Sequence, residues 1–231
     1  MVNRPASKTT AKRYDRAPFD WYCESARVVE QLIHGLARHG ARFADEDGTP
    51  DLIWDPCCGR GNVLDVAKRY GHPTIGSDII DRHPRHKFIR GNVLTQITRM
   101  PSYAGRPTSV ISNTPYSYKP DIAELIIATI LDRFPVRMAA FIVPIAFLAS
   151  QDRWRDNKFA GRWKPSQTCI YRERHTMPPG HLMETMTSPF EGGMADYAAL
   201  VFTRPHRWRT ETVWLSPGHF PDPPRVKPRG D

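Results

Sequence analysis

The chain has 231 residues, 40% of them hydrophobic, and carries 33 Lys and Arg against 24 Asp and Glu, a formal charge of +9. That length suits one α/β domain and excludes a large second recognition domain, while the basic excess points to a polyanionic partner or to plain solubility charge. No apolar run reaches the roughly 18 residues of a membrane span; the best candidate, Met138 to Ala149, is shorter and holds Pro144.

Residues 1–17 are rich in Lys, Arg, Ser and Thr and lack periodicity. With no apolar h-region they read as a flexible basic arm, not a secretory leader. Trp21-Tyr22 precede a helix that Ser25 can cap, apolar at Val28, Val29, Leu32, Ile33 and Leu36 and closed by Gly40. Leu52 to Trp54 forms a short strand that runs into a glycine turn. Val63 to Tyr70 is the following helix. Thr74 to Ile79 is a second strand, Phe88-Ile89 starts a third, and Ser109 to Ser112 is a fourth. Asp121 to Phe134 is a strongly apolar helix and Val136 to Ile145 a buried strand. Thr168 to Arg172 and Tyr197 to Phe202 close the series, with the pattern of an antiparallel pair. Prolines and glycines break up residues 216–231 into an irregular tail, leaving 18–215 as the domain. Strands alternating with helices imply a mostly parallel sheet covered on both faces, with the loops after the strands gathered at its carboxyl edge.

The cysteines Cys23, Cys57, Cys58 and Cys169 form no C-x-x-C pair, and the histidines are scattered without a supporting acid. Neither pattern makes a metal site, and the thiols read as free in a reducing cytoplasm.

Two motifs carry chemistry. Asp55-Pro56-Cys57-Cys58-Gly59-Arg60-Gly61-Asn62 follows a strand and opens a helix. Its glycines allow a tight turn and close approach of a ligand. It is neither a dinucleotide fingerprint nor a P-loop, and the leading acid would repel a phosphate but attract a ligand's amino group. Asp78-Ile79, at the end of the second strand, can hold a ribose diol. Asn92-Val93, after the third strand, can read an adenine edge. In that order and spacing the three fit S-adenosylmethionine.

The second motif is Asn113-Thr114-Pro115-Tyr116, after the fourth strand. An exocyclic amine is a poor nucleophile because its lone pair is conjugated with the ring. The Asn113 side-chain oxygen and the Thr114 carbonyl can each accept one of its N–H bonds and free that pair. Pro115 stiffens the loop, and Tyr116 can stack on a planar base or amide.

This motif resembles the Asn/Asp/Ser-Pro-Pro-Tyr/Phe loop of amino-methylating methyltransferases, and the chain is similar to small phage-type DNA N6-adenine methyltransferases over residues 18–207. The resemblance implies the class I methyltransferase fold: an α/β, Rossmann-like sheet of seven strands, the last antiparallel. It implies S-adenosyl-L-methionine held by Trp21, Tyr22, Asp55, Pro56, Cys57, Gly59, Gly61, Asn62, Asp78, Ile79, Asn92 and Val93. It also implies catalysis on Asn113, Thr114, Pro115 and Tyr116 after the target base flips out of DNA. Thr114 departs from the usual first proline, and Cys23-Glu24 stand where the family has Thr-Pro or similar.

Lys119, Arg153, Arg155, Lys158, Arg162 and Trp163 interleave cations with an aromatic and read as DNA contacts. The Asp81 to Arg90 loop reads as solvated. Because the same loop chemistry serves amides and other bases, an RNA base or a protein glutamine remains an alternative acceptor. A degenerate nucleic-acid-binding scaffold is a further alternative, disfavoured by the intact Asp55, Gly59, Asp78 and Asn113.

Overall fold

The computed structural model describes residues 17–82, 84–96, 108–116, 119, 121–149, 158–193, 195–205 and 209–218. Arg153 and Arg155, the basic arm up to residue 16 and the tail from residue 219 lie outside the described residues.

Eight strands form one sheet: β1 (Leu52–Asp55), β2 (Thr74–Asp78), β3 (Lys87–Arg90), β4 (Thr108–Asn113), β5 (Val136–Pro144), β6 (Gln167–Tyr171), β7 (Tyr197–Thr203) and β8 (Glu211–Leu215). Their spatial order is β3-β2-β1-β4-β5-β7-β6-β8. The first five are mutually parallel, β7 runs antiparallel to both β5 and β6, and β8 pairs parallel with β6. The first seven strands follow the expected design, including the reversed seventh. The count of seven is corrected to eight: β8 extends the edge beyond β6, so the last strand of the chain is not the reversed one.

Helices α1 (Ala26–Arg38) and α2 (Asn62–Arg69) cover one face, and α3 (Val93–Gln96) and α4 (Ile122–Arg133) the other. Ser25 takes the N-cap position of α1, yet its hydroxyl makes no capping bond. Strand residues alternate between two cores. Ile53, Ile111, Ala140, Ile142 and Val201 pack against α1 and α2, whereas Trp54, Val110, Phe141 and Leu200 pack with Ile126, Ile127 and Ile130 of α4. Strands buried on both faces read as continuous apolar runs, which is why β5 was so visible in the sequence. The parallel strands end together, so the loops after Asp55, Asp78, Arg90 and Asn113 meet at the carboxyl edge, where open α/β sheets place their ligands.

Candidate cofactor and substrate site

The glycine turn starts from a buried acid. Asp55 is 2% exposed, and its Oδ1 accepts the Ser112 hydroxyl at 2.7 Å and the Cys57 amide at 3.1 Å. Burial, reinforced by the nearby Glu24, pushes its carboxyl well above the usual carboxylate range. Gly59 and Gly61 have φ of +53° and +91°, a left-handed backbone that side chains other than glycine's strain to adopt. The turn is tied to β2 through Asp78. Its Oδ2 accepts the Gly59 amide at 2.9 Å, and its Oδ1 accepts Ile80 N at 3.1 Å and Arg82 Nη1 at 3.0 Å. Two carboxylate oxygens offer about four acceptor positions, so Asp78 retains capacity for a hydroxyl. Arg82 departs from the solvated loop expected for residues 81–90. Its side chain is 10% exposed and its guanidinium stands 4.4 Å from the Trp21 ring centre. His86 in the same loop is also buried, bonded to Asp65 and Thr74.

Residues 17–24 form a strap over the turn. Cys23 N donates to Pro178 O at 2.9 Å and Gly180 N to Trp21 O at 2.8 Å, with a β-bridge between Tyr22 and Pro179. The Trp21 ring lies between two glycines: a Cβ on Gly59 would come within 2.8 Å of its Nε1, and one on Gly180 within 2.1 Å of its Cε2. Phe19 and Asp20 take left-handed φ of 57° and 52°. Residues 178–180, in the Pro- and Gly-rich stretch Arg172 to Asp196 that reads from the sequence either as a substrate loop or as a plain connection, reach the site from 157 positions beyond Trp21 or more.

A cavity of about 260 Å3 opens where these loops meet. Trp21, Tyr22, Pro56, Cys57, Asp78, Ile79, Asn92, Val93, Asn113, Pro115 and Lys119, all expected at the site, line it together with the unforeseen Phe19, Asp20, Arg82, Ile122, Leu125 and Ile126. A small adjoining recess gathers Asp55, Gly59 and Asn62 with Glu24, Arg60 and Asn113. Gly61, Thr114 and Tyr116 line neither space. The cavity wall is largely apolar, and Phe19, Ile79 and Leu125, which line it, leave 46%, 39% and 51% of their surface exposed.

At the end of β4 the Asn113 side chain is locked by its nitrogen. Nδ2 donates to Glu24 Oε2 at 3.1 Å and Tyr22 O at 3.2 Å, with Met177 Sδ at 3.6 Å. Among the described residues its Oδ1 is buried without a hydrogen-bond partner, as is the hydroxyl of Thr114, which is 1% exposed. Orphaned buried acceptors are rare in folded chains and call for a ligand. Tyr116 packs against the α4-side core and its hydroxyl bonds that of Tyr197; burial pushes the phenol up. Its ring is partly buried and lines neither of the two spaces.

Two expected substrate contacts lie elsewhere. Trp163 Nε1 and Arg162 both bond Asp132 Oδ1 at 2.9 Å, beside Leu131 and Val136. Asp132 is in the last turn of α4 and Val136 begins β5, so this cluster sits at the amino edge of the sheet, opposite the cavity. Lys158 belongs to the short helical turn leading into it. The four cysteines are free, and burial pushes the Cys23 thiol up to about 12. Among the described residues no group of three His, Cys, Asp or Glu is arranged to hold a metal ion, and no helix is long and apolar enough to cross a membrane.

No protein-family model matches the chain, and no curated protein does. Among solved structures it is similar to a protein provisionally assigned as the modification subunit of a type I restriction enzyme from Vibrio vulnificus, at 12% identity and a TM-score of 0.49, over 87% of this chain. The chain spans 48% of that protein's length. It is also similar to an S-adenosylmethionine-dependent methyltransferase from Archaeoglobus fulgidus, at 14% identity and a TM-score of 0.46, covering 77% of this chain and 93% of the other. A third is the 23S rRNA methyltransferase ErmE, at 12% identity and a TM-score of 0.45, covering 80% and 69%. At such identities and TM-scores the functional reading rests on this chain's own residues and their geometry.

Proposed function

We propose that the chain is an S-adenosylmethionine-dependent methyltransferase acting on an exocyclic amino group, N6 of adenine in DNA. The observation that carries this reading is the buried, unpartnered Oδ1 of Asn113 on a wall shared with the glycine turn. S-adenosylmethionine would supply a methyl group already activated on a sulfonium, so no base of shifted pKa is required and positioning accounts for most of the rate. The residues present fit that group. Asp55 is a buried carboxylate whose burial disfavours its charge, and a cationic ligand in the adjoining recess restores it. Asp78 offers a ribose its remaining acceptor capacity, while Ile79, Val93 and Ile122 offer an adenine ring an apolar wall.

Asn113 Oδ1 would accept one N–H bond of the incoming amine and turn its lone pair toward the methyl, and the Thr114 carbonyl is the second acceptor that the motif implies. With the cofactor bound, the methyl group would pass to the amine nitrogen as the S–CH3 bond breaks, leaving S-adenosylhomocysteine, and the amine's surplus proton would leave to water. Inside a duplex N6 cannot reach a recessed wall, so the base must leave the stack. The +9 charge and Lys119 at the cavity support a nucleic-acid acceptor.

The test is incubation with methyl-labelled cofactor and, in parallel, duplex DNA, single-stranded DNA, RNA and protein, followed by digestion to nucleosides or amino acids. Label should appear in N6-methyladenine from DNA and fall at least about 100-fold with Asn113→Ala, whose lost contact acts chiefly along the reaction path. Label in RNA or in glutamine alone would move the substrate assignment; label in none would end it.

A further inference from the structure

Buried carboxylates without a cationic partner are uncommon, since ionisation away from water is costly. Glu24 is 6% exposed, burial pushes its carboxyl up, and no Lys or Arg pairs with it among the described residues. Its backbone carbonyl accepts Asn62 Nδ2 at 3.0 Å, which pins it to the first turn of α2. The methyl-transfer chemistry above leaves the reason for its place beside Asn113 unexplained.

We propose that Glu24 is a positioning residue that sets the Asn113 carboxamide with its oxygen, not its nitrogen, toward the reacting amine; this rests on the methyl-transfer reading of the same site. The two ends of a carboxamide have nearly the same shape and opposite hydrogen-bonding character. The wrong end would present N–H donors to an amine that must itself donate, and the lone pair would not be freed. What selects the right end is the pair of acceptors behind it, Glu24 Oε2 at 3.1 Å and Tyr22 O at 3.2 Å. Turning the amide over would lose both bonds and set Asn113 Oδ1 against a carbonyl and a carboxylate. Glu24 Oε2 is the nearer of the two acceptors, 3.1 Å against 3.2 Å, and the one that belongs to a side chain and can be removed by substitution. The same contact leaves Oδ1 as a buried acceptor awaiting a donor.

Glu24 also shares the recess with Asp55 and Arg60, so the competing role is direct pairing with a cationic part of the cofactor. Glu24→Leu and Glu24→Gln separate the two. Leucine is of similar size but cannot accept a hydrogen bond, so it leaves the Asn113 Nδ2 donor without Glu24. Glutamine keeps one carbonyl oxygen for Asn113. Three quantities are compared: kcat, the Kd for S-adenosylhomocysteine, and the hydrogen-exchange rate of the Asn113 side-chain NH2 in nitrogen-15-labelled protein, identified by its loss in Asn113→Ala.

In Glu24→Leu, kcat should fall about 10- to 100-fold. The Kd should stay within about threefold, since Asn113 acts on the acceptor and not on the cofactor. The Asn113 NH2 should exchange faster. Glu24→Gln should recover both the turnover and the slow exchange. Unchanged NH2 exchange in Glu24→Leu overturns the proposal, as does a weakened Kd with kcat intact at saturation. If the wild type methylates no acceptor, the methyl-transfer reading fails, while the exchange rates still decide what orients Asn113.

Discussion

Asp55 ends β1 with two hydrogen bonds and two acidic neighbours, Glu24 and Asp78, and among the described residues no cation pairs with it. Its folded-state carboxyl is raised, so protonation stabilises the fold at low pH and that contribution is lost as pH rises through the folded-state value. Asparagine keeps the accepting oxygen and carries no charge at any pH. Scanning calorimetry should therefore find Asp55→Asn more stable than the ligand-free wild type near pH 8, with the difference shrinking toward about pH 4, where both side chains are neutral. An asparagine variant less stable at every pH would mean that Asp55 is anchored by contacts that need its charge. At this scale Asp55, the two turn glycines, Asp78 and Asn113 were legible in the sequence, because each sits at a fixed offset from a strand end. Glu24 and Arg82 were not. Glu24 meets Asn113 across 89 positions, and Arg82 lies in a charged loop whose composition is that of a solvated one.

The element that organises the site is the strap of residues 17–24, which crosses the glycine turn and is itself held by residues 178–180. Two successive non-glycine residues in the left-handed region, Phe19 and Asp20, cost roughly 1–2 kcal/mol each and persist only where the surroundings over-determine them. Gly180 is the point of closest approach, with the Trp21 ring where a side chain would begin. Gly180→Ala should push Trp21 off the turn. Overpacking of this kind costs about 1–3 kcal/mol, and binding of S-adenosylhomocysteine should weaken about tenfold or more. Denaturant melts and cofactor titration check both, and an alanine variant that binds like the wild type would show that the strap does not shape the cavity. The strap was half legible: Trp21-Tyr22 and Pro178-Pro179-Gly180 each stood out as segments, while their pairing with one another did not. Strand β8 was missed although Val213 and Leu215 are buried and Trp214 is 62% exposed, the alternation of a one-faced strand. Five residues bracketed by Pro205 and Pro217 carry turn signals on both sides that outweigh so short a pattern.

Across the whole molecule the chemistry gathers at one edge of the sheet. The strand order places the ends of β1, β2, β3 and β4 side by side, so residues from Trp21 to Ile126 reach a single cavity. The alternation of strands and helices made that edge predictable, and the reversed β7 followed the resemblance. The Arg162–Trp163 cluster was misplaced because interleaved cations and aromatics describe a composition and not a location; only the crossover through α4 and β5 puts it at the far edge. What unites the carboxyl edge is a pocket whose Asp55 carboxyl awaits a cation and whose Asn113 oxygen awaits a donor. Calorimetric titration of the purified chain with S-adenosylhomocysteine tests this most directly. One molecule should bind per chain with a Kd on the order of micromolar to tens of micromolar, nearly the same in Asn113→Ala. A chain that takes up none of it at roughly millimolar concentration, weaker than about 4 kcal/mol of binding, would contradict the assignment at its root.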